Sequence, residues 1–364
     1  MYIPSRMLLS LATLTLAIAQ TNQPAPDEIV FANGDKLVGH FVRANGSSVT
    51  FKSDILGDLT VDWKKVKELR TSAQVAVVRK GVLLRKNGDT AAVPQGTLAV
   101  QEEKLQVAGQ TIPVGDVDVV VDQPAFQKAV AETPGFFQDW KGAVTGGASI
   151  VQATQDSRTF NVAINLLRAE PSENWLDPRN RTLLGFSESY GEVTQPNTPT
   201  IKTSIFHAGF RRDEYFTRSL FAFGEASFDH NFSQGLDLQQ TYSGGIGWTV
   251  FTGPKQTLDL KGSMAYIRQQ FSSGADQSLI GSVFSEHYNR RLTRGVTLEQ
   301  NAAVTPAWNN TRAYSAAFSA IVTVPVYKHL SGSTGVIDNF LNDPPPAFKK
   351  NSLQFMLGLT YVLP

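Results

Sequence analysis

The last segment of the chain alternates between two kinds of side chain, and this period of two is the strongest constraint on its fold. One face carries large apolar or aromatic residues, namely Phe355, Leu357, Leu359, Tyr361 and Leu363. The other face carries Met356, Gly358, Thr360 and Val362. Such alternation indicates a β-strand. A final strand with one apolar face is typical of outer-membrane barrels, whose outer face meets lipid. The same residues also suit the last strand of a soluble sandwich.

Similar alternation recurs through the C-terminal two thirds of the chain. Twelve runs are predicted, at residues 139–152, 158–169, 181–191, 201–213, 218–232, 236–251, 256–271, 277–290, 295–308, 312–328, 333–341 and 351–363. Most last about 10 to 16 residues, which exceeds the usual sandwich strand and is long enough to cross a bilayer at a tilt. Residues 139–364 are therefore predicted to form an antiparallel transmembrane β-barrel of about 12 strands in the bacterial outer membrane. Ten or fourteen strands remain alternatives.

The N-terminal segment has the pattern of a secretory signal peptide. Arg6 is the only charged residue among the first 26. Residues 7–18 are apolar, and Ala17-Ile18-Ala19 forms an A-x-A cleavage site, so residues 1–19 are predicted to be removed. The chain has no cysteine, which excludes disulfides and thiolate chemistry. No later apolar stretch has the length of a transmembrane helix.

Residues 20–122 are predicted to form a small, SH3-like periplasmic β domain with a weak two-fold internal repeat. The motif Phe31-Ala32-Asn33-Gly34-Asp35 returns as Arg85-Lys86-Asn87-Gly88-Asp89, and Asn-Gly favours a tight hairpin turn. Each copy ends similarly, in Trp63-Lys64-Lys65-Val66 and in Gly115-Asp116-Val117. A chance duplication of turn chemistry is the alternative. Residues 123–138 are predicted to be a linker.

Polar residues inside the predicted barrel are the candidate functional side chains. Alternation directs five charged residues toward the lumen, namely Glu225, Asp229, Asp259, Lys261 and Glu299. Such charges could form a selectivity ring for small solutes or a set of internal salt bridges that fills the barrel. Residues 211–214 are expected at a turn. The net charge of +1 is spread along the chain, so no nucleic-acid partner is expected.

Motifs of catalysis and cofactor binding are missing from the sequence. There is no G-x-S-x-G elbow, no H-E-x-x-H and no Walker loop, so no catalytic, cofactor-binding or metal residues are predicted and the chain is not expected to be an enzyme. Ser227, Asp229 and His230 carry lipase-type groups. Adjacent residues on a strand point to opposite sides, however, so Asp229 and His230 cannot pair directly.

Several segments together resemble the domain-of-unknown-function 481 family of salt-induced outer-membrane β-barrel proteins. They are IVFANGDKLVG at 29–39, LTVDWKKV at 59–66, WKG at 140–142, GGAS at 146–149, RTFNVA at 158–163, FRRDEYF at 210–216, GGIGW at 244–248 and LGLTY at 357–361. The resemblance implies an outer-membrane barrel without an established activity. The expected role is structural or small-solute-conducting, and an outer-membrane enzyme acting on lipid or envelope glycan is the alternative. Expected partners are outer-membrane lipid, the barrel assembly machinery through the C-terminal strand, and an envelope partner of the N-terminal domain.

Overall fold

The computed structural model describes residues 26–82, 84, 89–131, 135–151, 156–171, 173, 175–195, 198–253 and 255–363. The predicted signal peptide and residues 85–88 of the second Asn-Gly-Asp motif lie outside these ranges. The chain divides into two compact units. The first runs to Val82 and resumes over Ala91–Gln127, and the second comprises Leu83–Thr90 and Lys128–Pro364. Among the described residues, no helix is long and apolar enough to span a membrane.

The first unit is a nine-stranded antiparallel sheet. Its strands are β1 (Asp27–Phe31), β2 (Lys36–Asn45), β3 (Ser48–Ser53), β4 (Gly57–Asp62), β5 (Val66–Arg79), β6 (Gln95–Gln101), β7 (Lys104–Val107), β8 (Gln110–Pro113) and β9 (Val117–Asp122). The order in the sheet is β4-β3-β2-β1-β5-β6-β7-β8, and β9 pairs with both β2 and β5. Helix α1 (Gln123–Ala131) follows β9.

Strand pairing repeats once within the first unit. β1 pairs with β2 and with the first part of β5. The second part of β5 pairs in the same way with β6 and β9. A 3-10 turn precedes the last strand of each arrangement, at Trp63–Lys65 and at Val114–Asp116. Phe31 and Arg79 occupy equivalent positions in the two copies. Phe31 pairs with Val66, the first residue of β5, and Arg79 pairs with Val117, the first residue of β9.

The two copies of this strand arrangement share one hydrophobic core. Its fully buried side chains include Ile29, Val49, Phe51, Leu69, Val77 and Val120. Trp63 is only 3% exposed, and its Nε1 donates a hydrogen bond of 2.7 Å to the carbonyl oxygen of Asn45. This side chain therefore holds the first 3-10 turn against the end of β2 and offers no surface to a ligand.

The second unit contains a closed antiparallel barrel of twelve strands, which confirms the predicted all-β fold class and strand number. The strands are β10 (Trp140–Val151), β11 (Asp156–Glu170), β12 (Asn180–Thr194), β13 (Ile201–Tyr215), β14 (Leu220–Asn231), β15 (Leu236–Thr252), β16 (Gln256–Phe271), β17 (Asp276–Arg291), β18 (Thr297–Thr305), β19 (Ser315–Tyr327), β20 (Leu330–Leu341) and β21 (Asn351–Val362). They follow one another around the barrel in chain order. Each overlaps one of the twelve predicted runs.

Side chains alternate between the two faces of the barrel wall. On β21, Phe355 and Leu357 point outward and are 83% and 77% exposed, whereas Ser352 and Thr360 point inward and are buried. The same alternation exposes apolar side chains on the outside of other strands, among them Phe160, Phe210, Ile246, Met264, Phe284 and Phe318. An apolar outer face around a polar interior is the arrangement that a barrel in lipid requires.

One end of the barrel is crossed by a turn. The end that holds Trp140 and Leu363 is called here the terminal end, and the opposite one the distal end. At the distal end, the β14–β15 connection contains a 3-10 turn at Phe232–Gln234. The Nε2 of Gln234 donates to the carbonyl oxygens of Asn339 and Lys350, at 2.9 and 2.7 Å. Because β20 and β21 lie far around the wall from β14, this turn reaches across the distal mouth and narrows it.

Candidate functional site in the barrel lumen

Arg181 is the centre of a group of charged side chains inside the barrel. It lies on β12, and its Nε donates to Asp213 Oδ2 on β13 at 2.7 Å. Its Nη2 donates to Asp259 Oδ2 on β16, also at 2.7 Å. Three strands separate β12 from β16 along the wall, so the second contact crosses the lumen.

Both carboxylates of this group are buried and fully hydrogen-bonded. Asp213 is 0% and Asp259 2% exposed. Arg211 Nε donates to Asp213 Oδ1 at 3.0 Å, and Thr249 Oγ1 donates to Asp259 Oδ1 at 2.7 Å. All four carboxylate oxygens therefore accept a hydrogen bond, which is the condition under which buried charges are tolerated.

A second ion pair and two aromatic rings extend the group along the lumen. Lys261 Nζ on β16 lies 3.3 Å from Glu225 Oε2 on β14, two strands away. It also lies 5.2 Å from the centre of the Phe223 ring, and the Arg181 guanidinium lies 5.3 Å from that of Phe221. Both contacts have the geometry of cation–π interactions. The cluster thus holds three cationic and three anionic groups, and its formal charge is zero.

The Phe221 ring takes its place because its cross-strand neighbour is a glycine. Phe221 pairs with Gly247 on β15. A Cβ atom at Gly247 would lie 2.2 Å from the Phe221 ring, so any larger residue would displace the ring. Phe221 is 0% exposed, and it therefore fills lumen space beside Arg181.

A histidine and an aspartate form a separate pair on the lumen face of β13 and β14. His207 Nδ1 lies 2.6 Å from Asp229 Oδ1, and Ser227 Oγ donates to Asp229 Oδ2 at 3.2 Å. His230 is on the opposite face, where its Nδ1 lies 2.8 Å from the carbonyl oxygen of Asp237. In a Ser-His-Asp triad the serine donates to the histidine, whereas here Ser227 donates to the aspartate.

Polar side chains also line the rest of the lumen wall. His287 Nδ1 lies 2.7 Å from Asn301 Oδ1, and Asn301 Nδ2 donates to Ser319 Oγ at 3.3 Å. Glu299 lies on the same face of β18 as Asn301, two residues earlier, and is half-buried. Toward the barrel closure, hydroxyl contacts link Thr323 to Ser333 at 3.0 Å and Thr145 to Thr360 at 2.8 Å.

The five lumen candidates named from the sequence do not form one site. Glu225, Asp259 and Lys261 belong to the charged cluster, Asp229 pairs with His207, and Glu299 stands apart on β18. The expectation of a turn at residues 211–214 is wrong, because β13 continues to Tyr215 and pairs there with β14. Pairing of these residues within the wall is what directs Arg211 and Asp213 into the lumen.

Sequence reasoning missed the cationic centre and the aromatic part of the cluster. Arg181, Arg211, Phe221 and Phe223 were not among the candidates. The one signal that could have indicated the rings is the glycine-rich segment of β15, since glycines on a facing strand leave room for large side chains. Among the described residues, no three His, Cys, Asp or Glu side chains come together as a metal site.

Comparison with known proteins identifies a family. The sequence model of a family described as "Protein of unknown function, DUF481" matches residues 144–363. No curated protein matches the chain. Among solved structures, the crystal structure of the β domain of the Bordetella autotransporter BrkA is similar, with 11% sequence identity and a TM-score of 0.30. That match covers 61% of this chain and 97% of the other.

Proposed function

The chain belongs to the DUF481 family of proteins of unknown function, and from that premise we propose that it is a structural outer-membrane barrel. In this proposal the lumen does not conduct solutes. The single observation that carries it is the contact of Arg181 with Asp259 across the lumen. The twelve strands enclose a narrow interior, and side chains that meet across such an interior fill it.

The composition of the wall supports insertion in a membrane. From Leu353 to Tyr361, the outward residues of β21 are apolar and 48% to 83% exposed, with Tyr361 and Phe355 at these limits. In water such a contiguous apolar surface would drive association, whereas in lipid it is solvated by hydrocarbon. The closed barrel also pairs backbone groups all around the wall, over four register pairs at the β10–β21 seam, as the bilayer interior demands.

The orientation follows from the order of the units. A cleaved signal peptide at residues 1–19 would deliver the chain to the periplasm, and the first unit would stay in that compartment. The terminal end of the barrel then faces the periplasm and the distal end faces the exterior. The first unit, as a compact β sheet outside the membrane, is the part that would meet another envelope component.

The proposal contains no catalytic step. The hydroxyl of Ser227 donates to Asp229, so it lacks the base that an attacking serine requires. The small-solute-conducting role remains the second candidate, because Glu225 and Lys261 are the kind of charged lumen residues that line selective pores.

Planar-bilayer recordings separate the two roles. The wild-type protein should give no steady conductance, and Arg181→Ala combined with Asp259→Ala should open a measurable current. Arg268→Ala is the matched control, because Arg268 lies outside the cluster and is paired with Asp276 at 3.8 Å. Folding of each variant is checked by heat-modifiable gel migration. A steady ohmic current through the wild-type protein would contradict the structural role in favour of conduction.

A further inference from the structure

The strands that close the barrel are paired over a much shorter length than their neighbours. β10 and β21 form four register pairs, between 143–146 and 359–362. β10 forms twelve pairs with β11, and β21 forms eleven with β20. Toward the distal end, residues 147–151 and 351–358 are therefore paired on one side only. Backbone groups without partners are strongly disfavoured in hydrocarbon, so something else must meet this edge.

A polar cavity lies on the lumen side of this sparsely paired seam. Its volume is about 220 Å³. Hydroxyl and amide groups from opposite parts of the wall dominate its lining, namely Thr159, Ser189, Thr203, Ser233, Ser352 and Gln354. The β21 residues among them belong to the stretch that has no partner on β10. The cavity thus borders the seam, in the distal third of the barrel.

An apolar groove lies on the outer face, next to the same seam. Its volume is about 480 Å³. Small residues of β10 form its floor, Gly146 and Ala148 among them, and Phe160 and Val162 form one side. Its one charged lining residue is Glu188, whose Oε1 accepts a hydrogen bond of 2.9 Å from Ser204. The groove runs from mid-height toward the distal end.

An unused hydrogen-bond donor lies where the pairing stops. Asn161 Nδ2 is buried and has no partner among the described residues. A Cβ atom on Gly147, the first residue beyond the four pairs, would lie 2.5 Å from Asn161 Oδ1 and 2.4 Å from the carbonyl oxygen of Leu357. The Asn161 amide and the β21 edge therefore both lie next to Gly147. A side chain at position 147 would clash with both of them.

We propose that the β10–β21 seam binds a membrane amphiphile, with its polar head in the lumen cavity and a hydrocarbon chain in the outer groove. The inference rests on the proposed outer-membrane location. The head group enters at the distal level, where the head groups of the outer leaflet lie. The chain descends along Phe160 and Val162, which already face hydrocarbon. Asn161 and the unpaired edge of β21 supply hydrogen bonds to the polar part.

The test uses the full-length protein folded into vesicles of phosphatidylethanolamine and phosphatidylglycerol. Two photoreactive phosphatidylethanolamines are compared, one with the reactive group on its head and one with it midway along a chain. After illumination, mass spectrometry should find the head-group label on the lumen residues Thr203 and Ile205. The chain label should be enriched on Phe160 and Val162 relative to outward residues on the far side of the barrel, such as Phe284.

A matched pair of variants makes the outcome specific. Ser189→Trp fills the cavity and should lower head-group labelling of Thr203 and Ile205 about tenfold, which corresponds to about 1.4 kcal/mol. Ser187 lies on the lumen face of β12, as Ser189 does, but outside the cavity lining. Ser187→Trp should therefore leave the labelling unchanged. Both variants are first checked for heat-modifiable migration, so that a loss through misfolding is recognised.

Three results would overturn the inference in different ways. Chain label on all outward faces without head-group label on Thr203 or Ile205 would mean that the barrel is in the bilayer but its seam admits no amphiphile. Absence of chain label from every outward residue would instead refute the membrane location on which the inference rests. Equal loss of labelling in Ser189→Trp and Ser187→Trp, with both folded, would exclude the cavity as the site.

Discussion

Replacing Arg181 with methionine should destabilise the barrel far more than replacing any exposed arginine. The substitution keeps much of the side-chain volume. Among the described residues, it removes the only cation in contact with Asp259 and one of two in contact with Asp213. Arg181 is 18% exposed and its two partners are almost fully buried. Breaking a buried ion pair on one side costs about 3 to 5 kcal/mol, because it leaves an uncompensated charge.

The residual contacts place Arg181→Met near the lower limit of that range. Asp213 keeps Arg211 at 3.0 Å, and Asp259 keeps only the hydroxyl of Thr249 at 2.7 Å. The main cost should therefore come from Asp259. Adding Asp259→Asn removes this orphaned charge while an oxygen remains to accept from Thr249. The double variant should recover about 1 to 3 kcal/mol, the penalty of an unsatisfied buried group.

The free energies are measured by urea titration of the protein folded in vesicles, with Arg268→Met as the matched control. Arg268 is 49% exposed and lies 3.8 Å from Asp276, so its loss should cost about 0 to 1 kcal/mol. Equal effects of Arg181→Met and Arg268→Met would refute the buried network. A double variant less stable than Arg181→Met would show that Asp259 is not left unpaired by the single change.

Four further predictions concern the wall, the leader and the first unit. In vesicles, Phe318→Arg should lower the free energy of unfolding by about 2 to 4 kcal/mol, because an outward arginine meets hydrocarbon. Ser319→Arg, on the lumen face, should lower it less. The reverse order would mean that the assignment of the two strand faces is inverted. Intact-mass analysis of the exported protein should show a chain that begins after Ala19, and retention of the N-terminal methionine would contradict this. The first unit expressed alone should fold without detergent. Within the first unit, the hydrogen bond and charge of Lys36 hold the pKa of Glu28 below its usual 4.5. The stability that this pair contributes should therefore be present at neutral pH and lost as the pH falls through the lowered pKa. The stability difference between wild type and Lys36→Met, followed by circular dichroism, should accordingly shrink in acid, and a difference that grows would exclude the pair as its source.

The sequence predicted the barrel because the property that decides it is local. On a strand, neighbouring side chains point to opposite faces, so the residues themselves record which face meets lipid and which meets the lumen. In the pairs Phe318–Ser319 and Leu357–Gly358, for example, the outward and inward residues can be assigned from their own strand alone. The lengths of such runs gave the strand count. The least accurate boundaries, each three residues from the prediction, are the ends of β12 and β18 and the starts of β19 and β20, because pairing with neighbours decides where a strand begins and ends.

The lumen contacts follow a different rule, and no local pattern could have revealed them. Arg181 and Asp259 are 78 positions apart and sit on strands that are not neighbours. Their meeting depends on the register of every strand between them and on the curvature of the closed wall. The pairing of His207 with Asp229 likewise depends on how β13 is aligned with β14, because a shift of one residue would put one of them outside.

The same distinction holds at the seam. Alternation named Phe355, Leu357 and Leu359 as outward residues of the last strand, and they are. The length over which that strand pairs with β10 is set by closure of the whole barrel, because it depends on the register stagger accumulated over all twelve strands. The sequence by itself determined which side chains face lipid and which face the lumen, because facing is a property of one strand. The tertiary structure alone decided which charges meet across the lumen and how far the two closing strands pair, because those depend on all twelve strands at once.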